Sequence, residues 1–229
     1  MGVVRGLKNI VGHNEAEEAR FQSSQGPKTV WFKIADKQTV KVAFLQELDE
    51  DSPNFSSKND LGILAVEHSN PDFYQRKALC TADEGGCWAC EQHRKDYKAG
   101  WKGRSRLYIN VLVDNGTDAP FVAVLSQGTS GKSITPTLIE YATDDGTITD
   151  KWFSIKRLGT GTDTSYSIRG LKEHGLNVED YDVFDLSNVV RNIPYAEQEA
   201  HYLQGVETSV SEPEAAKVPV SAGAVDAEW

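Results

Sequence analysis

The stretch RLYINVLVDNGTDAPFVAVLSQG, residues 106–128, decides the fold class of this chain. Two runs rich in β-branched and other apolar residues, 106–113 and 120–126, are separated by the turn sequence Asp-Asn-Gly-Thr. Apolar runs of this length on either side of such turn residues predict two antiparallel strands joined as a hairpin. We therefore expect a protein built mainly of β-strands with short helices.

The segments on either side of this hairpin show the same kind of pattern. VWFKIADKQTVKVAFLQEL, residues 30–48, alternates and has a turn near its centre, which predicts a hairpin of two strands. Residues 61–68 predict one more strand, and residues 151–158 and 165–171 predict a pair around the glycine-rich sequence GTGTDT. TPTLIEYATDDG, residues 135–146, predicts a short helix. Five or six strands in hairpins with few helices predict a small Greek-key barrel or sandwich.

Composition is typical of a soluble protein. The chain has 229 residues, of which 39% are hydrophobic, enough for one sizeable core. It contains no run of about 18 apolar residues, its N-terminal sequence is too polar for a secretion signal, and its cysteines are odd in number, which argues against a disulfide framework. We therefore expect a cytoplasmic protein without a membrane segment.

Charge is distributed unevenly along the chain. The net charge of −10 by itself disfavours nucleic acid as a partner. Residues 74–106 nevertheless hold eight bases and four acids, a net +4, whereas residues 205–229 hold five acids and one lysine, a net −4. We expect an N-terminal arm at 1–27, a core at 28–204 with an insertion at about 65–103, and a disordered acidic tail at 205–229. A solvated face and a solubilising tail would also explain this asymmetry.

All three cysteines of the chain lie in the sequence CTADEGGCWACEQH, which begins at Cys80. Cys87 and Cys90 form a Cys-x2-Cys pair, and two glycines between Cys80 and Cys87 allow the chain to fold back. Thiolates at this spacing favour a tetrahedral zinc site. The fourth ligand is His68 or His93. We favour His68, because it ends a predicted strand and approaches from a separate segment, whereas His93 shares a short helix with Cys90.

Other interpretations of the cysteines are weaker. A chance cluster without a metal stays open, but a thioredoxin-type pair would need a βαβ pattern around it. The zinc-deaminase pattern requires Pro before the Cys-x2-Cys pair and Glu shortly after the histidine, and neither accompanies Cys87 or His68. The predicted zinc is therefore structural.

The sequence SQGTSGKSITP, residues 126–136, contains Gly-Lys-Ser after a predicted strand. A phosphate-binding P-loop needs four residues between its first glycine and its Gly-Lys pair. Here Gly128 and Gly131 are separated by only two residues, so we expect no nucleotide hydrolase. Lys132 is retained as a cation that can contact a phosphate.

Aromatic and basic residues are interleaved around the cysteines. This mixture suits single-stranded nucleic acid, because cations follow the phosphate backbone while aromatic rings stack on the bases. The residues expected to contact it are Tyr74, Arg76, Lys77, Trp88, Trp101, Lys102, Arg104, Arg106, Tyr108 and Lys132, with Lys156 and Arg157 in a second strip. The alternative is that Trp101 and Tyr108 belong to the core and that the bases only solvate an edge.

The order His68, Cys80, Cys87, Cys90 resembles the zinc ligands of the single-stranded-DNA-binding proteins of T4-type phages. The words RKALCT, CWACEQH and SITPTLIEYA also resemble single-stranded-DNA-binding proteins of actinobacteriophages, roughly over residues 28–203. The resemblance implies an OB-fold that carries a zinc subdomain. It also implies an acidic C-terminal tail that recruits replication partners and competes with DNA for the groove.

These observations predict a sequence-independent single-stranded-DNA-binding protein that acts in DNA replication, recombination or repair, in the host cytoplasm if a phage encodes it. Its expected partners are single-stranded DNA and, through the acidic tail, replication or recombination proteins. The alternative is a zinc-stabilised protein–protein adaptor that binds no nucleic acid. An enzyme is disfavoured, because the sequence shows no HExxH motif and no pair of carboxylates placed for catalysis.

Overall fold

The computed structural model describes residues 28–116 and 118–203. The predicted arm at 1–27 and the predicted tail at 205–229 lie outside these residues. The strands are β1 Thr39–Phe44, β2 Ile63–Ser69, β3 Lys77–Leu79, β4 Arg104–Asp114, β5 Phe121–Gly128, β6 Lys151–Leu158 and β7 Ser165–Glu173. The helices are α1 Trp88–Lys95, α2 Thr135–Asp144, α3 Leu186–Val189 and α4 Tyr195–Leu203, with 3-10 turns at 82–84, 161–163 and 178–180.

The named strands form one antiparallel sheet in which β4 is the central member. Along one edge β4 pairs with β5 over most of its length. Along the other edge its first half pairs with β2, where Ile63 lies opposite Tyr108, and its second half pairs with β1, where Phe44 lies opposite Val111. β3 extends the sheet beyond β2, and β6 and β7 extend it beyond β1. The mainly β architecture predicted from the sequence is confirmed.

The largest core lies on one face of β4. Because side chains alternate along a strand, Leu107, Ile109, Val111 and Val113 all point to this face, and all four are buried. Helix α2 covers the core through Leu138 and neighbouring residues. The sheet curls around this core, since the Tyr166 N–H at the start of β7 donates to the Lys132 carbonyl just after β5, at 2.8 Å.

The opposite face of β4 is also covered, by the segment at 176–190. The Asn110 side chain, fully buried, accepts a hydrogen bond from the Phe184 N–H at 3.1 Å and donates to the Phe184 carbonyl at 2.9 Å. Tyr108 and Leu112 pack on either side of it, against Leu186 and Val183 respectively. Most of the outer surface of β4 is therefore occupied by the chain itself.

The predicted hairpin at 30–48 is wrong in its first half. The second half forms β1, but Trp31 makes a parallel bridge to Val124 of β5 instead of pairing with β1. The Phe32 N–H donates to the Val124 carbonyl of β5, whereas the Lys37 N–H donates to the Arg157 carbonyl of β6, so the chain passes from β5 to β6 between these residues. It turns at 35–38, where Lys37 has a φ of 64°, and then enters β1. Alternation in the sequence indicates an extended segment, but it does not reveal which neighbour that segment pairs with.

Among residues 28–116 and 118–203, no helix has the length and apolar character needed to cross a membrane.

Candidate metal centre and nucleic-acid interface

Four predicted ligands meet at one point in the structure. The ligand atoms of His68, Cys80, Cys87 and Cys90 all lie within 4.8 Å of one another. The Cys90 sulfur lies 3.5 Å from the Cys80 sulfur and 3.3 Å from the His68 Nε2 atom. Tetrahedral zinc, with zinc–sulfur bonds of about 2.3 Å, separates two sulfurs by about 3.8 Å. The cluster therefore has the donor set and the size of a tetrahedral metal site.

Each ligand is held by a different local feature of the metal-binding segment, which we define as residues 63–103. His68 is near the end of β2, and the Cys80 N–H donates to the Val66 carbonyl of that strand at 2.8 Å. Cys87 is the N-cap residue of α1 and Cys90 lies in its first turn, so both thiols face the same end of the helix. Gly85, with a φ of 111°, allows the tight turn that leads into the helix.

His68 is oriented by a second contact. Its Nδ1 atom lies 2.6 Å from the Trp101 carbonyl oxygen, so Nδ1 carries the proton and Nε2 faces the thiols. Burial lowers the pKa of His68, the hydrogen bond to Trp101 opposes this shift, and the nearby His93 adds to it. The neutral imidazole that results is the form that binds a metal.

His93 does not belong to the group of ligands. The cluster found among the described residues contains His68 and the cysteines only. His93 is partly buried on α1, and its Nδ1 atom has no hydrogen-bond partner in the described part of the chain. The structure thus brings together the set with His68, as the strand-end argument predicted.

The environment of Cys87 suits a thiolate. Burial acts to raise the pKa of this thiol. Hydrogen bonds from the backbone N–H groups of Cys90 and Thr81, together with those from the Cys90 and Cys80 thiols, outweigh burial, so the pKa lies below the usual value. Backbone N–H groups that point at a sulfur stabilise its negative charge. The Cys87 side chain is only 1% exposed, which shields this charge from water.

An aromatic cluster packs behind the metal site. The Trp88 and Trp101 rings meet edge to face at 5.1 Å between centroids, and Tyr202 of α4 contacts both rings, at 5.8 and 5.3 Å. Trp101 is 9% exposed and Trp88 is half-buried. Both were predicted to contact nucleic acid. Their packing in this cluster argues against direct stacking of Trp101 on a base.

Tyr108 is buried as well. Its hydroxyl donates to the Glu67 carboxylate and accepts a hydrogen bond from the Lys77 ammonium at 2.7 Å. Lys77 also donates to Glu67 at 3.2 Å, and burial lowers the pKa of Lys77 more than this carboxylate raises it. With no exposed ring surface, Tyr108 cannot stack on a base in this conformation. It belongs to the core, as the alternative interpretation held.

Two other aromatic residues are exposed, on what we call the aromatic loop, residues 70–76 between β2 and β3. Phe73 is 52% exposed and Tyr74 is 68% exposed. The Arg76 guanidinium lies 4.5 Å from the centroid of the Phe73 ring. The loop therefore presents two aromatic faces and a positive charge to solvent together. Tyr74 and Arg76 were predicted from the sequence as contacts, and both belong to this loop.

Arg191 is a basic residue near this loop that the sequence did not indicate. Its carbonyl accepts a hydrogen bond from the Leu79 N–H at 2.9 Å, which places Arg191 along the outer edge of β3. Burial lowers the pKa of Lys77 most, Glu67 opposes this shift, and the positive charges of Arg106 and Arg191 lower the pKa further. Arg106 and Arg191 are therefore both near Lys77. Arg191 lies over 100 residues from the cysteines in sequence, and no local pattern links it to them.

The remaining predicted contacts are spread over the sheet. Arg104 and Lys102 are exposed where the metal-binding segment enters β4, and Arg106 donates to the Ser126 hydroxyl at 2.9 Å. Lys132 is exposed and donates to the Thr162 carbonyl at 3.3 Å. Lys156 and Arg157 lie on β6, which β1 and β4 separate from β2. Lys156 is exposed, whereas Arg157 donates to the Ile34 carbonyl at 2.8 Å and is engaged in the fold.

No protein-family model, no curated protein and no solved structure matches this chain. The resemblance to phage single-stranded-DNA-binding proteins consequently rests on the motifs themselves and stays a prediction.

Proposed function

We propose that this protein binds single-stranded DNA without sequence preference and carries a structural zinc ion. The observation that carries the proposal is the aromatic loop, where Phe73 and Tyr74 are exposed beside the Arg76 charge. Lys77 and Arg106 carry positive charge from this loop toward β4, and Arg191 adds a further cation beside β3. Exposed aromatic rings beside a row of cations are the two components that single-stranded nucleic acid requires.

The donor set supports zinc as the metal. Three thiolates and one imidazole are borderline-soft ligands that favour zinc over magnesium or calcium. All four positions of a tetrahedron are supplied by the protein, so no position is left for a substrate. A closed site of this kind contributes folding free energy and no chemistry. Here it would fold the metal-binding segment and fix the aromatic loop that projects from it.

The strand pairings support an OB-fold-like barrel, with β1, β4, β5, β6 and β7 as its five strands. β1 pairs with β4 and β6, β4 pairs with β5, β6 pairs with β7, and α2 lies between β5 and β6 in sequence. OB-folds bind oligonucleotides on their second and third strands and on the loops between strands 1–2 and 4–5. In this assignment the first of these loops is the long connection at 45–103, which contains the metal cluster.

The proposed binding surface is displaced from the usual OB position. Segment 176–190 covers the outer face of β4 around Asn110, so a strand of DNA cannot lie there in this conformation. Exposed positive charge remains at the other end of β4, at Arg104, and on the loop after β5, at Lys132. We propose that DNA runs from the aromatic loop past Arg104 and Arg106 toward Lys132.

This surface accounts for binding that is independent of sequence. Arginine and lysine side chains neutralise phosphates, whereas rings stack on any base at about 1–3 kcal/mol per base. We place the protein in replication, recombination or repair on the basis of the resemblance to phage proteins, with recruitment of partners through the acidic tail. The proposal is accordingly a binding protein and not an enzyme.

A titration tests this function directly. Zinc-loaded full-length protein is added to a fluorescently labelled oligo(dT) at low and moderate salt, and anisotropy is compared with that of a duplex of equal length. We expect tight binding to the single strand, weaker binding at higher salt and little binding to the duplex. If zinc-loaded protein does not bind at low salt, DNA binding is rejected and the zinc-stabilised adaptor is favoured. An adaptor would not need the outer face of β4, which segment 176–190 covers.

A further inference from the structure

The Asn70 side chain gives the aromatic loop its shape. Its Oδ1 atom accepts hydrogen bonds from the N–H groups of Asp72, at 2.7 Å, and Phe73, at 3.0 Å. The backbone N–H of Asn70 donates to the Arg76 carbonyl at 2.9 Å, which closes the base of the loop. Asparagine commonly stabilises turns in this way, by accepting from N–H groups two or three residues ahead. Asn70 is 5% exposed, so these bonds are shielded from water.

One carbonyl oxygen of α4 holds both ends of this loop. The Tyr202 carbonyl accepts a hydrogen bond from the Asn70 Nδ2 group at 2.8 Å and another from the Arg76 guanidinium at 3.1 Å. Carbonyls in the last turn of a helix lack intrahelical partners and carry the negative end of the helix dipole. The Tyr202 oxygen is therefore suited to hold a cation, and it does so beside the Phe73 ring.

Helix α4 is in turn fixed to the metal-binding segment. Gln198 is fully buried, donates to the Thr81 hydroxyl at 2.8 Å and accepts from the Trp88 N–H at 2.9 Å. The Tyr195 hydroxyl donates to the Glu91 carboxylate at 2.9 Å. These bonds join the first half of α4 to residues that surround the candidate metal ligands, and the Tyr202 ring adds a contact to Trp88 and Trp101 from its last turn.

We infer that α4 is a positioning element for the proposed DNA-binding loop, and that it acts through the Tyr202 carbonyl on Asn70 and Arg76. The inference rests on the proposed function. Holding Arg76 against the Phe73 ring before DNA arrives reduces the side-chain entropy lost on binding. Asn70 is thus a positioning residue, which affects DNA through Arg76 and the loop without contacting it.

The first test replaces Asn70 while keeping the turn. Asn70→Asp retains the oxygen that accepts from the N–H groups of Asp72 and Phe73. It loses the N–H donor to Tyr202, and it places a carboxylate oxygen next to the Tyr202 carbonyl oxygen, which repels it. We expect about tenfold weaker binding to oligo(dT), the loss typical of a hydrogen bond to or beside a charged group. Gln75→Glu adds the same charge to an exposed position of the same loop and should weaken binding about two- to threefold at most.

A neutral variant guards against misfolding. Asn70→Ser keeps a turn-forming hydroxyl, buries no charge and is too short to reach Tyr202. Asn70→Ser should weaken binding to oligo(dT) more than Gln75→Glu does and less than Asn70→Asp does. Its zinc content should equal that of the wild type. Wild-type affinity in Asn70→Ser would overturn the inference.

A second measurement does not depend on DNA. Chymotrypsin cleaves after exposed aromatic residues, and its rate at the aromatic loop reports local opening. We expect cleavage after Phe73 and Tyr74 to be at least about threefold faster in Asn70→Ser than in the wild type, whereas cleavage after the exposed Tyr97 stays unchanged.

If the wild type fails to bind oligo(dT), the proposed function fails, yet this assay still decides whether α4 holds the loop. Unchanged cleavage would contradict the inference, and faster cleavage with unchanged DNA affinity would contradict the positioning role.

Discussion

Tyr202 combines tight packing with an unsatisfied polar atom. Its ring is fully buried between Trp88 and Trp101, and its hydroxyl has no hydrogen-bond partner among the described residues. Burial raises the pKa of this phenol above its usual value, so the hydroxyl stays neutral. A buried donor without a partner costs about 1–3 kcal/mol, whereas the ring itself contributes apolar burial. The two effects can be separated by substitution.

Tyr202→Phe should leave the free energy of unfolding unchanged or raise it by about 1 kcal/mol, because it removes the unpaired hydroxyl and keeps the ring. Tyr202→Ala should lower it by about 3–5 kcal/mol, because it leaves a cavity beside the metal site. Guanidinium denaturation of the zinc-loaded protein measures both. Tyr97→Phe, at a position 72% exposed, serves as the control. A loss above about 1 kcal/mol in Tyr202→Phe would mean that the hydroxyl has a partner.

Glu47 joins two distant segments through one carboxylate. It is 2% exposed and accepts hydrogen bonds from the hydroxyls of Thr147 and Thr149 and from the N–H groups of Ile148 and Thr149. Glu47→Gln replaces an acceptor oxygen with an NH2 group that faces these donors. We expect a loss of about 1–3 kcal/mol in the free energy of unfolding, measured by urea denaturation. Glu50→Gln, at an exposed position, should change it by no more than about 0.5 kcal/mol.

At the scale of elements, the candidate metal ligands come from β2, from the residue after β3, and from the start of α1. His68→Ala and Cys87→Ser should each abolish stoichiometric zinc binding and lower Tm by about 10 °C or more, because the metal supplies folding free energy. His93→Ala is the matched control on α1, and it should retain both zinc and Tm. Atomic absorption and thermal denaturation provide the two readouts. A zinc-free Cys87→Ser variant with unchanged Tm would refute the structural role.

The sequence predicted most of the strands and the candidate metal ligands, because both depend on residues that are close together in the chain. Strands β2, β4, β5, β6 and β7 follow from alternation between turn residues, and the ligand set follows from the spacing of Cys80, Cys87 and Cys90 with a histidine that ends a strand. The contacts that the sequence did not reveal join distant segments. These contacts depend on the path that the chain takes after β7. They are made by Arg191 beside β3, by Tyr202 behind the metal site and by segment 176–190 over β4.

The same distinction explains why two of the aromatic residues predicted as contacts are buried. Trp101 and Tyr108 lie among basic residues in sequence, and nothing local distinguishes them from Tyr74. Their burial is decided by partners far away in the chain, Tyr202 for Trp101 and the Leu186 region for Tyr108. An aromatic–basic pattern therefore locates a candidate surface, but the tertiary structure decides which rings it exposes.

For the whole molecule, the distribution of cations predicts how affinity depends on salt. Each phosphate contact on a single strand contributes about −0.7 to the slope of log K against log salt concentration. Arg191→Ala should therefore make this slope shallower by about 0.7 and weaken binding at low salt. Lys172→Ala removes an exposed charge on β7, away from the proposed path, and should leave the slope unchanged. An unchanged slope in Arg191→Ala would remove this residue from the surface.

Strand β4 belongs to two parts of the molecule at once. Its first half pairs with β2 of the metal-binding segment and its second half pairs with β1, without an interruption between Arg104 and Asp114. Because the strand is continuous, it provides no hinge between the part of the sheet beside the aromatic loop and the part that contains β1. We therefore expect the aromatic loop and β5 to keep their relative position when a ligand binds. Under the proposed function, the DNA backbone would then adapt to a fixed protein surface.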